Sequence, residues 1–437
     1  DVFGNGLLGS SQMRLVAAFD HRHIFLDPDP DAEQSFVERR RLFELSRSSW
    51  DDYDRALISE GGGVFARTKK SITISETARE AIGAPTNSFT PNQLISAILK
   101  SPVDLLWNGG IGTYVKASSE THQQVGDRTN DAVRVDGSQL RCRAVVEGGN
   151  LGLTQRARIE FAENGGKINT DSIDNSGGVD CSDREVNLKI LLDGQVVAGR
   201  MSSDERNALI ADVSEEVVDR ILADNFHQAQ AISREVEVSP RRMYAYEDLM
   251  QLLEVEGILD RHIDAMPSSE AMSERMKAGI GLTRPEMSVL LANAKRSIKR
   301  VLVSSDLTND PYLVADVERY FPAAVASRVG GDLSDHPLRR ELIATLVAND
   351  VVNSEGVVFV SRLVTQTGAE PVDVIRAFRI ARDLTGARER WSRIEDLYTD
   401  VDPELWARLM RHTDRMVASV TRWYLANGDG LGIGDIV

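Results

Sequence analysis

Up to about residue 200 the chain alternates short β-branched runs with Gly, Asn or Asp and then a helix-like stretch, the rhythm of βαβ units and a parallel sheet. Strands are expected at 14–19, 71–75, 103–107, 141–146 and 167–172. Three of them stop in small polar turns: Asn108-Gly109-Gly110, Glu147-Gly148-Gly149-Asn150 and Asp174-Asn175-Ser176-Gly177-Gly178. Ligands of open α/β sheets sit at the carboxyl ends of strands, so these turns predict a shared crevice. After residue 200 strand signals nearly vanish and apolar residues fall at helical spacing, as in Leu209, Val213, Val217 and Ile221, or Leu249, Leu252, Leu253, Leu259 and Ile263. Thr283-Arg284-Pro285-Glu286 reads as a capping box opening another helix, and more helices are expected over 336–352, 371–384, 387–397 and 403–425. The predicted fold class is therefore α/β followed by all-α. An incomplete Rossmann-like parallel sheet with helices fills 1–200, and an α-helical C-terminal domain fills 201–437.

Composition narrows the function. Asp and Glu outnumber Lys and Arg by 67 to 51, a net charge of −16, which argues against nucleic acid as a partner. No segment reaches the roughly 20 apolar residues that cross a bilayer, so no membrane partner is expected. Two cysteines in 437 residues give no disulfide framework and fit a reducing, cytoplasmic compartment. Residues 27–70 form a charged insert between the first two expected strands. Its Asp27-Pro28-Asp29-Pro30-Asp31 run lacks the glycine and closing Glu of a calcium loop and favours an exposed turn. Gly61 to Gly63 is either a surface loop or a close approach to a ligand. His21 and His23 find no third ligand at a metal-site spacing, and neither cysteine has a paired His, so no metal site and no catalytic nucleophile are expected.

The chemistry-bearing positions point to a nucleotide. Gly4-Asn5-Gly6-Leu7-Leu8-Gly9 matches the dinucleotide fingerprint, with Gly4 and Gly6 as candidate phosphate contacts, although no strand precedes it. Asp20 ends the first expected strand, where an acid accepts hydrogen bonds from an adenosine ribose and repels a 2′-phosphate, favouring NAD. The competing role for Asp20 is to cap the turn that follows. Asn108 and Gly109, Asn150, and Asn175 stand at three strand ends, where short amides suit a ribose or a carboxamide and equally suit a turn. Ser182-Asp183-Arg184-Glu185 is a capping box, so Ser182 starts a helix, and the same N-terminus favours a carboxylate ligand.

The succession Asp1-Val2-Phe3-Gly4-Asn5-Gly6, Ala17-Ala18-Phe19-Asp20-His21-Arg22-His23-Ile24, Leu106-Trp107-Asn108-Gly109-Gly110-Ile111-Gly112-Thr113-Tyr114, Glu147-Gly148-Gly149-Asn150-Leu151-Gly152 and Asp174-Asn175-Ser176-Gly177-Gly178-Val179-Asp180-Cys181-Ser182 resembles the large-subunit class of NAD-specific glutamate dehydrogenases. The resemblance implies NAD as cofactor and reversible oxidative deamination of L-glutamate to 2-oxoglutarate and ammonium. It implies that the Glu147-Gly148-Gly149-Asn150 segment reaches the nicotinamide ribose, that the Asn175-Ser176-Gly177-Gly178 segment holds the carboxamide, and that Ser182 binds a substrate carboxylate. It also implies a homo-oligomer, and catalytic lysines and an aspartate in a substrate domain preceding the dinucleotide domain. The chain begins at Asp1 without an initiator Met, so none of its residues is expected to be catalytic, and alone it is expected to be inactive and to bind NAD weakly. The competing functions are dehydrogenation of another amino acid and a non-catalytic assembly or regulatory module.

Overall fold

The computed structural model describes residues 8–428 and 432–437, the side chains of 332 and 334 excepted. Gly4 and Gly6 lie outside the described residues. The chain divides into two compact units, one of residues 1–176 with 283–285, the other of residues 177–282 with 286–437.

In the first unit a three-stranded antiparallel sheet is built from β1 (Ala17–Phe19), β2 (His23–Leu26) and β3 (Gly63–Ala66), with helix α1 (Ala32–Glu44) between β2 and β3. Only Asp20, His21 and Arg22 separate β1 from β2, and a connection that short cannot cross over to a parallel strand. The supposed insert thus supplies the third strand of a sheet. β2 is buried on both faces because successive side chains alternate. Ile24 and Leu26 enter the main core, and Phe25 packs on Trp50 and Tyr53 at 4.9 and 4.8 Å between ring centres. Gly62 lies so close to the Leu26 carbonyl that a Cβ would sit 2.5 Å from it, which makes the glycine run a backbone contact.

The short pair β4 (Ile72–Thr73) and β5 (Ser88–Phe89) is also antiparallel, with α2 (Glu76–Ala81) between them and α3 (Pro91–Leu99) after. Among the described residues parallel pairing occurs in two ribbons and two isolated bridges, Val115 to Leu153 and Ala144 to Lys167. β6 (Leu105–Asn108) pairs with β9 (Ala144–Glu147), and β7 (Val115–Lys116) pairs with β8 (Val135–Asp136). The single parallel sheet expected from the sequence is therefore replaced by four small sheets among the described residues. Helix α4 (His122–Val125) precedes β8, and α5 (Gln155–Glu163) follows β9. The strand expected at 167–172 is reduced to one bridge, Lys167 to Ala144, before α6 (Asp171–Asp174). Its Asn-Thr-Asp-Ser run offers polar side chains that compete for backbone bonds and no alternating apolar face.

The described residues of the second unit contain helices and no strand: α7 (Ser176–Val197) from its second residue, α8 (Ser203–Asp212), α9 (Ser214–Val238), α10 (Met243–Val255), α11 (Ser269–Ala278), α12 (Arg284–Ser304) from its third residue, α13 (Pro311–Val314), α14 (Asp316–Tyr320), α15 (Ala323–Val329), α16 (Arg339–Glu355), α17 (Phe359–Thr367), α18 (Pro371–Leu384), α19 (Ala387–Glu395) and α20 (Pro403–Asn427). α18 is buried nearly all round, through Val374, Ile375, Ala377, Phe378, Ile380 and Ala381, and packs against α17, α19 and α20. Helix begins at Ser176, so the helical texture starts before the expected boundary at residue 200.

Candidate functional site

β6 and β9 run side by side, Leu105 opposite Ala144 through Asn108 opposite Glu147, and both end in glycines. The two turns are bound to each other: Gly148 N and Gly149 N donate to the Asn108 carbonyl at 2.7 and 3.1 Å, and Gly110 N donates to Asn108 Oδ1 at 3.2 Å. A Cβ on Gly149 would lie 2.5 Å from Gly110 O, one on Gly152 would collide with the Asn108 amide, and one on Gly109 would enter the Trp107 ring. These glycines make room for protein. Asn108 and Gly109 therefore fix the shape of the turn.

The loop that follows β9 is held by a buried ion network. Glu147 is fully buried, and its carboxylate accepts from Arg158 Nε at 2.7 Å, from Arg158 Nη2 at 3.0 Å and from Leu153 N at 3.1 Å. Burial pushes the Glu147 carboxyl above its ordinary range, against the pull of Arg158. Desolvation works against the Arg158 charge, yet Glu147 and Asp171 leave its pKa raised. Asp171 then accepts from Leu151 N at 2.7 Å, and Thr113 Oγ1 donates to Leu151 O at 2.7 Å. Between these anchors Leu151 is forced to φ 57°, the left-handed region that an L side chain disfavours. Because Leu151 is 64% exposed, replacing it loses no core. Leu151→Asn is expected to raise stability by up to about 1 kcal/mol, a rise of roughly 2–4 °C in the melting of this unit by calorimetry.

Asn150 and Asn175 come together: Asn175 Nδ2 donates to Asn150 Oδ1. Asn175 reaches this place as the residue closing α6, and the next residue opens α7. Neighbouring Asp174 accepts from Glu147 N at 3.0 Å and from Asn169 Nδ2 at 2.8 Å, while burial pushes its carboxyl up. Since Ser176, Gly177 and Gly178 continue in helix with no left-handed glycine to stop them, Ser182 is not a helix start. It lies on the second turn of α7, and its Oγ donates to Gly178 O at 3.3 Å.

A cavity of about 1140 Å³ opens in the first unit, lined among others by Asp20, Arg67, Asn108, Tyr114, Asn130 and Asn150. It is large enough for a dinucleotide. Asp20 is buried, and its Oδ1 accepts from both Arg22 N and His23 N at 2.6 Å, so it performs the turn-capping role. Arg67 Nη1 donates to the Asp20 carbonyl at 2.9 Å and brings a cation beside that acid. Tyr114 packs edge-on against Phe19 at 5.6 Å, and burial pushes its phenol up. Asp127, another lining residue, takes Thr113 N at 2.8 Å and Asn130 Nδ2 at 2.7 Å. Burial acts to raise the Asp127 carboxyl, and these donors together with Arg134 bring it below the ordinary range. Sequence reasoning missed Arg67, Tyr114 and Asn130. Tyr114 stood in a quoted motif, whereas Arg67 and Asn130 reach the cavity from segments with no local signal. Cys142 is buried with its thiol pushed up to about 11, which leaves it inert.

Two family models match the chain: bacterial NAD-glutamate dehydrogenase, catalytic domain, over residues 1–235, and glutamate dehydrogenase, C-terminal, over residues 279–435. Proteins named NAD-specific glutamate dehydrogenase are similar to it along nearly its whole length. That of Halomonas elongata is 48% identical over 437 residues, all of this chain and 27% of the relative. That of Pseudomonas aeruginosa is 49% identical over 425 residues, 97% of this chain and 26% of the relative, and that of Mycobacterium tuberculosis is 43% identical over 431 residues, again 97% and 26%. The chain thus spans about a quarter of the length of these curated relatives. With the first model matching more than half of its residues, the chain belongs to the bacterial NAD-glutamate dehydrogenase family.

Proposed function

We propose that the chain is the C-terminal portion of an NAD-dependent glutamate dehydrogenase, which interconverts L-glutamate with 2-oxoglutarate and ammonium, and that the cavity of its first unit receives NAD. The observation that carries this is the Asn150–Asn175 pair. With Asn175 Nδ2 and Asn150 Oδ1 bonded to each other, Asn150 keeps an amide donor and Asn175 an amide acceptor. One donor beside one acceptor complements a carboxamide, which itself offers one of each. NAD, when bound, supplies the hydride acceptor. Asn150 and Asn175 orient it, Asn108 and Gly109 shape the wall, and Asp20 with Arg67 faces the ribose end. Ser182 remains the candidate for the substrate carboxylate.

Among the described residues no lysine lines the cavity. A lysine of lowered pKa is what amine oxidation at Cα requires, so on this reading the proton chemistry falls to residues other than those lining the cavity. The family reaction is preferred to that of another amino-acid dehydrogenase because the relatives are named for glutamate.

Asp20 gives the test. In the full-length enzyme Asp20→Asn keeps the Oδ1 that caps the turn but removes the charge, so the fold is retained. NAD is expected to weaken about tenfold, the loss of one charge-assisted hydrogen bond of roughly 1.5 kcal/mol. NADP then gains relative to NAD in kcat/KM. An unchanged NAD-to-NADP ratio removes Asp20 from the ribose site, and glutamate turnover by the isolated 437-residue chain refutes the assignment of proton chemistry.

A further inference from the structure

We propose that Arg242, Arg362 and Arg422 of the helical unit form a binding site for a phosphoryl dianion, separate from the dinucleotide cavity. The three side chains arrive from different elements: Arg242 precedes α10, Arg362 lies on α17, and Arg422 lies near the end of α20. α17 packs against both α16 and α20, and α16 packs against α9. Arg362 and Arg422 make no side-chain hydrogen bond and no ion pair among the described residues, and Arg362 Nε is buried without a partner. Arg242 has a single distant ion pair, Nη1 to Glu235 Oε1 at 3.9 Å.

The nearby acids do not neutralise the group. Glu235 is buried, with Oε2 accepting from Tyr246 OH at 2.5 Å. Asp414 is spent on Arg234 Nη1 at 3.0 Å and on the indole of Trp391 at 3.0 Å. Glu355, at the end of α16, has a buried Oε1 with no partner, and burial drives its carboxyl strongly toward the neutral acid. Arg242 and Arg422 act on Arg362 as like charges and, after burial itself, lower its pKa. Arg362 Nε and Arg234 Nε are buried donors without a partner in this one neighbourhood. Buried polar atoms are ordinarily satisfied, and planar guanidinium forks match the oxygens of a phosphoryl group with two parallel bonds each. A dianion would offset the mutual repulsion and occupy the free donors together.

The test is titration of the 437-residue chain with inorganic phosphate, at ionic strength matched with chloride, by calorimetry and by thermal melting. Wild type is expected to bind phosphate and to melt higher as phosphate rises, because a ligand of the native state stabilises it. Arg362→Gln is expected to weaken phosphate by about tenfold or more, the loss of charge-assisted bonds from one fork. It is also expected to melt higher than wild type in chloride alone, because a like charge is gone, and to gain nothing from phosphate. Should that variant fail to fold, Arg422→Gln, at an exposed position, is expected to show the same loss of phosphate binding. Equal phosphate affinity in wild type and both variants overturns the proposal. Succinate binding as tightly as phosphate overturns the assignment to a phosphoryl group.

Discussion

Arg158→Ala opens the end of β9. Its guanidinium is the only cation bonded to the fully buried Glu147 among the described residues, and it also stands 3.2 Å from Asp171. Removing one partner of such a pair strands a charge in a medium that cannot solvate it and costs about 3–5 kcal/mol, a large part of a domain's whole stability. The variant is expected to lose hydrogen-exchange protection over 144–154 and to unfold its first unit early in urea. Glu147→Gln added to Arg158→Met removes both charges and keeps an acceptor for Leu153 N. This double variant is expected to regain most of the loss, because a buried pair replaced as a whole is close to neutral. If Arg158→Ala alone leaves exchange at 144–154 unchanged, the network does not hold the loop.

Arg379→Met has its effect in the helical unit. Arg379, 3% exposed in α18, donates to both oxygens of buried Asp316 and, at 2.6 Å, to Asp383 Oδ2, and stacks over the Tyr312 ring at 5.3 Å. Methionine fills much of the volume but leaves buried Asp316 with only the half-exposed Arg319, at 3.1 Å, as its ion-pair partner among the described residues, a loss of up to about 3–5 kcal/mol at neutral pH. The loss depends on pH in a definite direction. Burial works to raise the Asp383 carboxyl, and Arg382 with Arg379 brings it below the ordinary range. A carboxylate with a lowered folded pKa contributes stability that is complete above its unfolded value, near about 4, and that disappears as pH falls through the folded value. The gap between wild type and variant should therefore narrow as pH drops below about 4. A gap of constant size from about pH 7 to about pH 3, measured by chemical denaturation, would show that packing alone is responsible.

The helical half is easier to read from the chain than the sheet half, and particular residues show why. α18 runs Pro371–Leu384 as expected, since Pro371 fixes its first turn and its apolar positions repeat at helical spacing. For the sheets, periodicity marks a strand without naming its partner. Ala17–Phe19 is legible as a strand, but its antiparallel pairing follows from the length of the Asp20–Arg22 turn. Ser182 misleads because a capping box is a local pattern, whereas the helix start is decided by Ser176 to Gly178 accepting helical backbone. At the candidate site, Asn108, Asn150 and Asp20 reach one cavity, and Asn175 reaches it through Asn150. Arg67 is invisible in the sequence because its role depends on β3 returning beside β2.

The pairing of β6 with β9 also bears on the order in which the molecule is made. The β1–β2 hairpin closes over three residues, but Leu105 meets Ala144 only 39 steps further along the chain (144 − 105). Loop closure of that length is slow to be repaid, so the parallel ribbon is a late event in folding. This wall of the cavity is thus assembled after the hairpin beside it. On the proposed reading, ligand affinity at this place includes the work of locking two strand ends together, and a nascent chain engages NAD only after β9 has left the ribosome.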